Sequence, residues 1–299
     1  MEHSHSHTHS HSHSIEINKG NKNVFLIGIG LNMTFVLAEV IAGFAYNSMA
    51  LLTDAGHNLS DVASLVVSLV AFWMAKKKSS AVYTYGYKKT TVLAALVNAV
   101  VLLIAIGVLS YEAFTRLFKP QPVSGGVIAW VAALGIIINS VSAFLFFRQK
   151  HELNSKAAYL HLLADALVSL GVVIAGIIIS YTHVYWLDPA ISLVIMVVIL
   201  VGTWSLLRDS FKMTIDAVPT GIELDEIKKV IVGVQHVKHV HHVHVWSIST
   251  TENALTAHVV IDEQLSFEQK LKVVEEIKHE LEHHNIHHST IELAFSREI

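Results

Sequence analysis

Two short stretches carry residues fit for metal chemistry. In "LLTDAGHNLSD", residues 51–61, His57 and Asp61 stand four apart, and in "YLHLLADALVS", residues 159–169, His161 and Asp165 repeat the spacing. A helix turns about 100° per residue, so positions four apart lie within about 40° of each other on one face. Two imidazoles and two carboxylates complete a tetrahedral shell for a divalent ion, and zinc takes such ligands at about 2.0–2.2 Å. The chain has no cysteine, which argues against copper(I), while the nitrogens argue against magnesium and calcium. Cobalt, nickel, cadmium and iron(II) stay open as lesser substrates. Ligands bind metal only when deprotonated, so metal and protons compete for the same four side chains, and imidazole changes charge near neutral pH. A site of this kind, opened first to one side of a membrane and then to the other, exchanges metal for protons.

The elements that must position these residues are membrane helices. Of 299 residues 53% are hydrophobic and 15% charged, and the mean hydropathy is +0.51, a composition of several bilayer spans rather than of a soluble domain. Six apolar segments approach the ~20 residues that cross a hydrocarbon core, at roughly 24–45, 49–75, 91–115, 124–147, 157–181 and 188–207. The first is too long for a secretory signal and lacks a cleavage site. Lys76, Lys77, Lys78, Lys88 and Lys89 lie between spans two and three, Arg148, Lys150 and Lys156 between four and five, and Arg208 and Lys212 after six. The positive-inside rule therefore puts both termini in the cytoplasm of a multi-pass protein of the cell's inner membrane. Single polar residues such as Asn32, Asn98, Asn139 and Ser140 read as glue between helices. Ionisable residues at membrane depth are costly and usually functional, and the duplicated His/Asp pair falls in that class. Asp54, one turn before His57, reads as an acceptor that orients His57 or as a structural residue.

Past residue 212 the composition changes. Residues 223–234 read as an amphipathic helix, 239–248 and 254–262 as strands, 266–284 as a second helix and 289–295 as a third strand. The order αββαβ gives a small α+β domain, ferredoxin-like or metallochaperone-like, spanning residues 213–299 behind an all-α transmembrane domain of six helices at 23–212. Residues 1–22 form a tail in which "HSHSHTHSHSHS" alternates histidine with hydroxyl residues, a composition of disorder with weak metal affinity. In the second strand Leu255, Ala257, Val259 and Ile261 make the apolar face and leave His258 on the polar one; in the third, Ile291, Leu293 and Phe295 point inward and Glu292 outward. His241, His258 and Glu292 then meet on one sheet face as a three-ligand site. The other histidines there, His236, His239, His242, His244, His283, His284, His287 and His288, read as solvated surface residues.

Together "MALLTDAGHNLSD", "YTYGYKKTTVLAALVNA", "HLLADALVSLGVVIAG", "WLDPAISLVI" and "VHHVHVW" resemble the cation diffusion facilitator family, the zinc exporters of the bacterial cobalt–zinc–cadmium resistance type. The resemblance implies a transport site of His57, Asp61, His161 and Asp165, export of zinc from the cytoplasm against an inward proton flux, homodimerisation, and zinc as a regulatory ligand at the dimer interface of the cytoplasmic domain. Thr91 stands where many relatives have glutamate, and Ala294 where some offer a further carboxylate. Other classes fare worse. An intramembrane metalloprotease should show H-E-x-x-H for the metal and its general base, and the chain is expected to have no such motif. A non-transporting metal sensor needs an output module, and a passive channel would hold an ion too tightly with four strong ligands to conduct it quickly. Nothing points to an enzyme or to nucleic acid; the expected partners are zinc ions, protons, the lipid bilayer and a second copy of the chain.

Overall fold

The computed structural model describes residues 22–75, 77–147 and 153–294. The side chains of Asp61 and of residues 153–164, His161 among them, lie outside the described residues, as does the histidine-rich tail. The described residues divide into two compact units: one holds residues 22–69 with Val97–Leu206, and the other joins Val70–Leu96 to the residues from Leu207 onward.

In the first unit the apolar segments form long helices, α1 (Lys22–Ala45), α2 (Met49–Ala75), α3 (Thr90–Phe118), α4 (Gly125–Phe147), α5 (Leu153–Thr182) and α6 (Leu187–Thr214), of which α2, α3 and α6 run on into the second unit. Among the described residues α3, the Asp165–Thr182 part of α5 and α6 are long and apolar enough to cross a membrane, while Gly30–Ala45 and Gly125–Val141 are shorter apolar helices. Burial in α1 follows the helical period. Phe35, Val36, Glu39 and Ala42 face inward, and Leu37, Ile41 and Phe44 stay exposed, as expected where lipid rather than water surrounds the bundle.

Small residues set the closest approaches. A Cβ on Gly125 would meet the Gly176 carbonyl oxygen at 2.4 Å, and one on Gly176 would meet the Ala129 backbone nitrogen at 2.7 Å. The α4 and α5 backbones touch here, the packing that small residues permit between membrane helices.

The second unit contains α7 (Leu224–Gly233), β1 (Val237–Ser247), β2 (Asn253–Ile261), α8 (Phe267–His283) and β3 (Ile286–Ala294). This is the αββαβ order read from the sequence. The sheet runs β1-β2-β3, with β1 and β2 antiparallel and β2 and β3 parallel. Ile227 and Ile231 of α7 and Val273, Ile277 and Leu281 of α8 pack on Leu255, Ala257 and Val259 of β2, each large side chain contributing roughly 1.5–3 kcal/mol by leaving water. A capping box opens α8: the Ser266 hydroxyl accepts from the Gln269 N–H, and the Gln269 side chain accepts from the Ser266 N–H. Leu293, expected to point inward, is 37% exposed, because β3 is an edge strand at the open end of the layer.

The loop before α3 belongs to the same unit and is fastened to it by lysines. Lys89 Nζ donates to the Met213 carbonyl (2.8 Å), to Asp216 Oδ1 (2.5 Å) and to the Ser247 carbonyl (2.9 Å). Lys88 Nζ pairs with Glu252, and the Thr91 hydroxyl accepts the Thr250 N–H at 3.0 Å. Lysines expected only to signal topology therefore also make specific contacts.

Replacing Gly176 by leucine drives a side chain into the α4 backbone. The expected outcome is overpacking that costs about 1–3 kcal/mol or more, read as a lower melting temperature in detergent, whereas Gly171→Leu, with open space around its Cβ position, leaves the melt nearly unchanged.

Candidate metal centre

The first unit concentrates its polarity where α1, α2 and α5 meet. His57 Nε2 of α2 and Asp165 Oδ1 of α5 lie 3.1 Å apart, 108 residues apart in sequence. Both side chains are largely withdrawn from the surface. Two ligands of one tetrahedral zinc, each about 2.1 Å from it, sit about 3.4 Å from one another. The observed spacing is within a few tenths of an ångström of that, so these two groups can share an ion without moving either helix appreciably. Among the described residues no group of three His, Asp or Glu side chains is arranged to hold a metal; Asp61 and His161, expected to complete this centre, have side chains outside the described residues. Their places on the helices are fixed all the same. Asp61 follows His57 by four residues on α2, and His161 precedes Asp165 by four on α5.

Asp54 of α2 is buried beside two other helices. It accepts from the Ser169 hydroxyl of α5 at 3.3 Å and faces Glu39 of α1. Glu39 in turn accepts from Asn58 Nδ2 at 3.0 Å. The sequence reading missed Glu39, although a lone carboxylate in the middle of "FVLAEVIAGF" is itself a signal at membrane depth. Asn139, read as interhelical glue, is buried with its Nδ2 unpaired among the described residues.

The start of α2 is fixed from another helix. Asp188, near the start of α6 and 1% exposed, accepts from the Ser48 hydroxyl (2.6 Å), the Met49 N–H (2.6 Å) and the Ala50 N–H (3.2 Å). These N–H groups belong to the first turn of α2 and have no partner within their own helix. A carboxylate at that end also meets the positive end of the helix dipole. Arg116 of α3 donates to the Asn47 carbonyl just before it.

In the second unit the strands place the expected residues side by side: His241 pairs with His258 across β1 and β2, and His258 with Glu292 across β2 and β3. His258 Nε2 is 3.5 Å from Glu292 Oε2, again a spacing that one zinc could bridge. The His241 and His258 rings stand 5.3 Å apart. His242, read as a surface residue, joins them with its ring 5.0 Å from that of His258. The cause is an irregularity in β1 between His241 and His244, where His242 takes φ +50° and turns two successive histidines toward one neighbourhood. At the start of β1, Lys238 holds the Asp262 carboxyl below its usual range.

The expectation that the chain has no H-E-x-x-H is wrong. H-E-x-x-H does occur, as "HELEH" at 279–283 on α8, with the His279 and His283 rings 4.9 Å apart. Both are exposed on a helix of the second unit, and among the described residues no third ligand joins them.

A model of the cation efflux transmembrane domain matches residues 25–213, and one of the cation efflux protein cytoplasmic domain matches residues 219–293. The chain belongs to the cation efflux family. It is 35% identical to the cadmium, cobalt and zinc/H(+)-K(+) antiporter of Bacillus subtilis over 91% of this chain and 89% of that protein. Identity is 37% with the metal cation efflux system protein CzcD of Cupriavidus metallidurans, over 92% and 87%, and 34% with the zinc transporter ZitB of Escherichia coli, over 92% and 88%. Among solved structures, the metal-bound C-terminal domain of the CzcD transporter from Cupriavidus metallidurans aligns with 24% of this chain and 99% of its own length, at 31% identity and a TM-score of 0.23. The family's members are membrane transporters rather than enzymes.

Asp188→Ala leaves three donors of this cation efflux protein without their buried acceptor. We expect a loss of about 2–4 kcal/mol, seen as a lowered melting temperature, with Asp188→Glu recovering part of it.

Proposed function

We propose that this protein exports zinc from the cytoplasm in exchange for protons, through a site made by His57 and Asp61 of α2 with His161 and Asp165 of α5. The observation that carries the reading is the 3.1 Å approach of His57 Nε2 to Asp165 Oδ1 across two helices, a spacing suited to a shared divalent ion in a family of cation transporters. Cadmium and cobalt, which appear in the names of relatives, are further candidate cargo. α1 to α6 act as six spans with both termini cytoplasmic, because the lysine-rich 76–89 segment and the connection at 148–156 fall on one side. Residues 23–212 form the transport domain and 213–299 a cytoplasmic domain with a ferredoxin-like order, through which the protein forms a homodimer. In that domain His241, His258 and Glu292, with His242 beside them, bind zinc as a regulatory ligand.

Coupling follows from chemistry. The imidazoles and carboxylates accept either zinc or protons, so the cytoplasmic-facing state that loads metal must shed protons, and the outward-facing state reverses this. In proteoliposomes a pH gradient should drive zinc accumulation by the parent protein, and both His57→Ala and His161→Ala should lose at least nine-tenths of the flux while retaining the parent's elution profile. Flux that is unchanged when the pH gradient is collapsed would mark a passive pathway and overturn the antiport.

The cytoplasmic site is checked separately. Equilibrium dialysis of the purified full chain should show fewer zinc ions bound per protomer in His258→Ala than in the parent, with pH-driven transport retained; equal stoichiometry would remove the regulatory site.

A further inference from the structure

Two buried carboxyl groups next to the transport site have no part in holding zinc in the reading above. Glu39 of α1 is 0% exposed and Asp54 of α2 is 2% exposed, and the two face each other. Their supply of donors is short. Ionised carboxylates accept at about four lone-pair positions each, yet among the described residues this pair receives one amide N–H from Asn58, at 3.0 Å, and one hydroxyl from Ser169, at 3.3 Å. Glu39 Oε1 is buried with no hydrogen-bond partner among the described residues. Among the described residues no lysine or arginine pairs with either group. Two ionised carboxylates facing each other in the bundle have, among the described residues, too few donors and no lysine or arginine as countercharge.

A single proton resolves both deficits. It cancels one charge and turns a contact between two acceptors into a hydrogen bond, which carboxyl groups can form only when one of them is protonated. A metal ion fits less well: Asn58 and Ser169 turn donors toward the pair, the wrong polarity for a cation's shell, and a hard cation asks for about six or more oxygens. We propose that Glu39 and Asp54 form a proton-binding site distinct from the zinc ligands, and that it carries one of the protons exchanged for zinc. The proposal rests on the antiport reading.

The placement supplies the coupling. Asp54 precedes His57 by three residues on α2, and Ser169 follows Asp165 by four on α5, so the pair is tied to the same two helices as the zinc ligands. Among the described residues the titratable groups facing it are His57 from α2 and Asp165 from α5. α4, which packs on α1, has no ionisable residue. Zinc arriving among the ligands raises the positive potential at Asp54 and favours release of the shared proton.

The test reads an equilibrium, so it does not depend on how fast a variant turns over. In proteoliposomes with the membrane potential held at zero by a permeant anion, the zinc ratio reached at steady state scales tenfold per coupled proton for each unit of pH gradient. Glu39→Gln, which matches the protonated carboxyl in shape, should reach a ratio about tenfold lower than the parent at a one-unit gradient, and Glu39→Asp should restore it. An unchanged ratio in Glu39→Gln overturns the proposal, as does a parental ratio that changes when potassium is omitted. A parent that accumulates no zinc overturns the antiport reading instead. Should Glu39→Gln fail to fold, Asp54→Asn is read in the same way. The parent protein gives a check without substitution: its infrared difference spectrum on zinc addition should show loss of a protonated-carboxyl C=O band, and absence of that band counts against the pair.

Discussion

A charge inside a membrane bundle must be met there by an opposite charge, a proton or a set of donors, because neither lipid nor a distant solvent will screen it. This constraint organises the interior where α1, α2 and α5 meet. His57 stands against Asp165, Asn58 against Glu39, and Ser169 against Asp54. Each of the three helices contributes a carboxylate, and each carboxylate has a partner on a different helix. The polar groups thus help to specify the packing, since a helix rotated out of register would leave them unpaired in oil.

The cytoplasmic unit solves a different problem. Its core is ordinary, two helices over a three-stranded sheet, and its stability comes from Leu255, Ile277, Leu281 and their neighbours leaving water. What sets it apart is the fastening of the 76–91 segment. Lys89 reaches three acceptors from two parts of the chain, and Thr91 receives a backbone N–H from Thr250. A glutamate at position 91 would place an acceptor there as well, with added charge beside Glu252. Threonine keeps the acceptor and, through its own hydrogen bond to the Lys88 carbonyl, stays within the first turn of α3.

Much of this was legible in the residues, and the part that was not has identifiable causes. The pairing of His57 with Asp165 follows from a spacing repeated on two helices, and the alignment of His241, His258 and Glu292 from strand alternation. Glu39 escaped because one carboxylate with no companion at helical spacing leaves no pattern, and its partners Asn58 and Asp54 lie on another helix. His242 escaped because alternation assumes a regular strand, and β1 has an irregularity at that point. Leu293 fits the alternation yet remains partly exposed, because periodicity reports a face and says nothing about whether anything covers it. Asp188 in "WLDPAISLVI" read as part of a motif, but that it caps α2 is a contact between residues some 140 apart, which no local pattern encodes.

That cap bears on how the site can move. A stiff helix tied at one end swings most at the other, and α2 is tied where Asp188 takes its first-turn N–H groups and Arg116 takes the carbonyl before it. His57 lies eight residues beyond Met49, about 12 Å along the axis, and Asp61 about 6 Å further. A given tilt about the cap therefore moves Asp61 more than His57, and Asp54 less than either. α4 and α5 are joined by direct backbone contact at Gly125 and Gly176, so a tilt of α2 changes its spacing to a pair that moves together. The His57–Asp165 approach, farther from the pivot, then opens more than the Asp54–Ser169 contact near it.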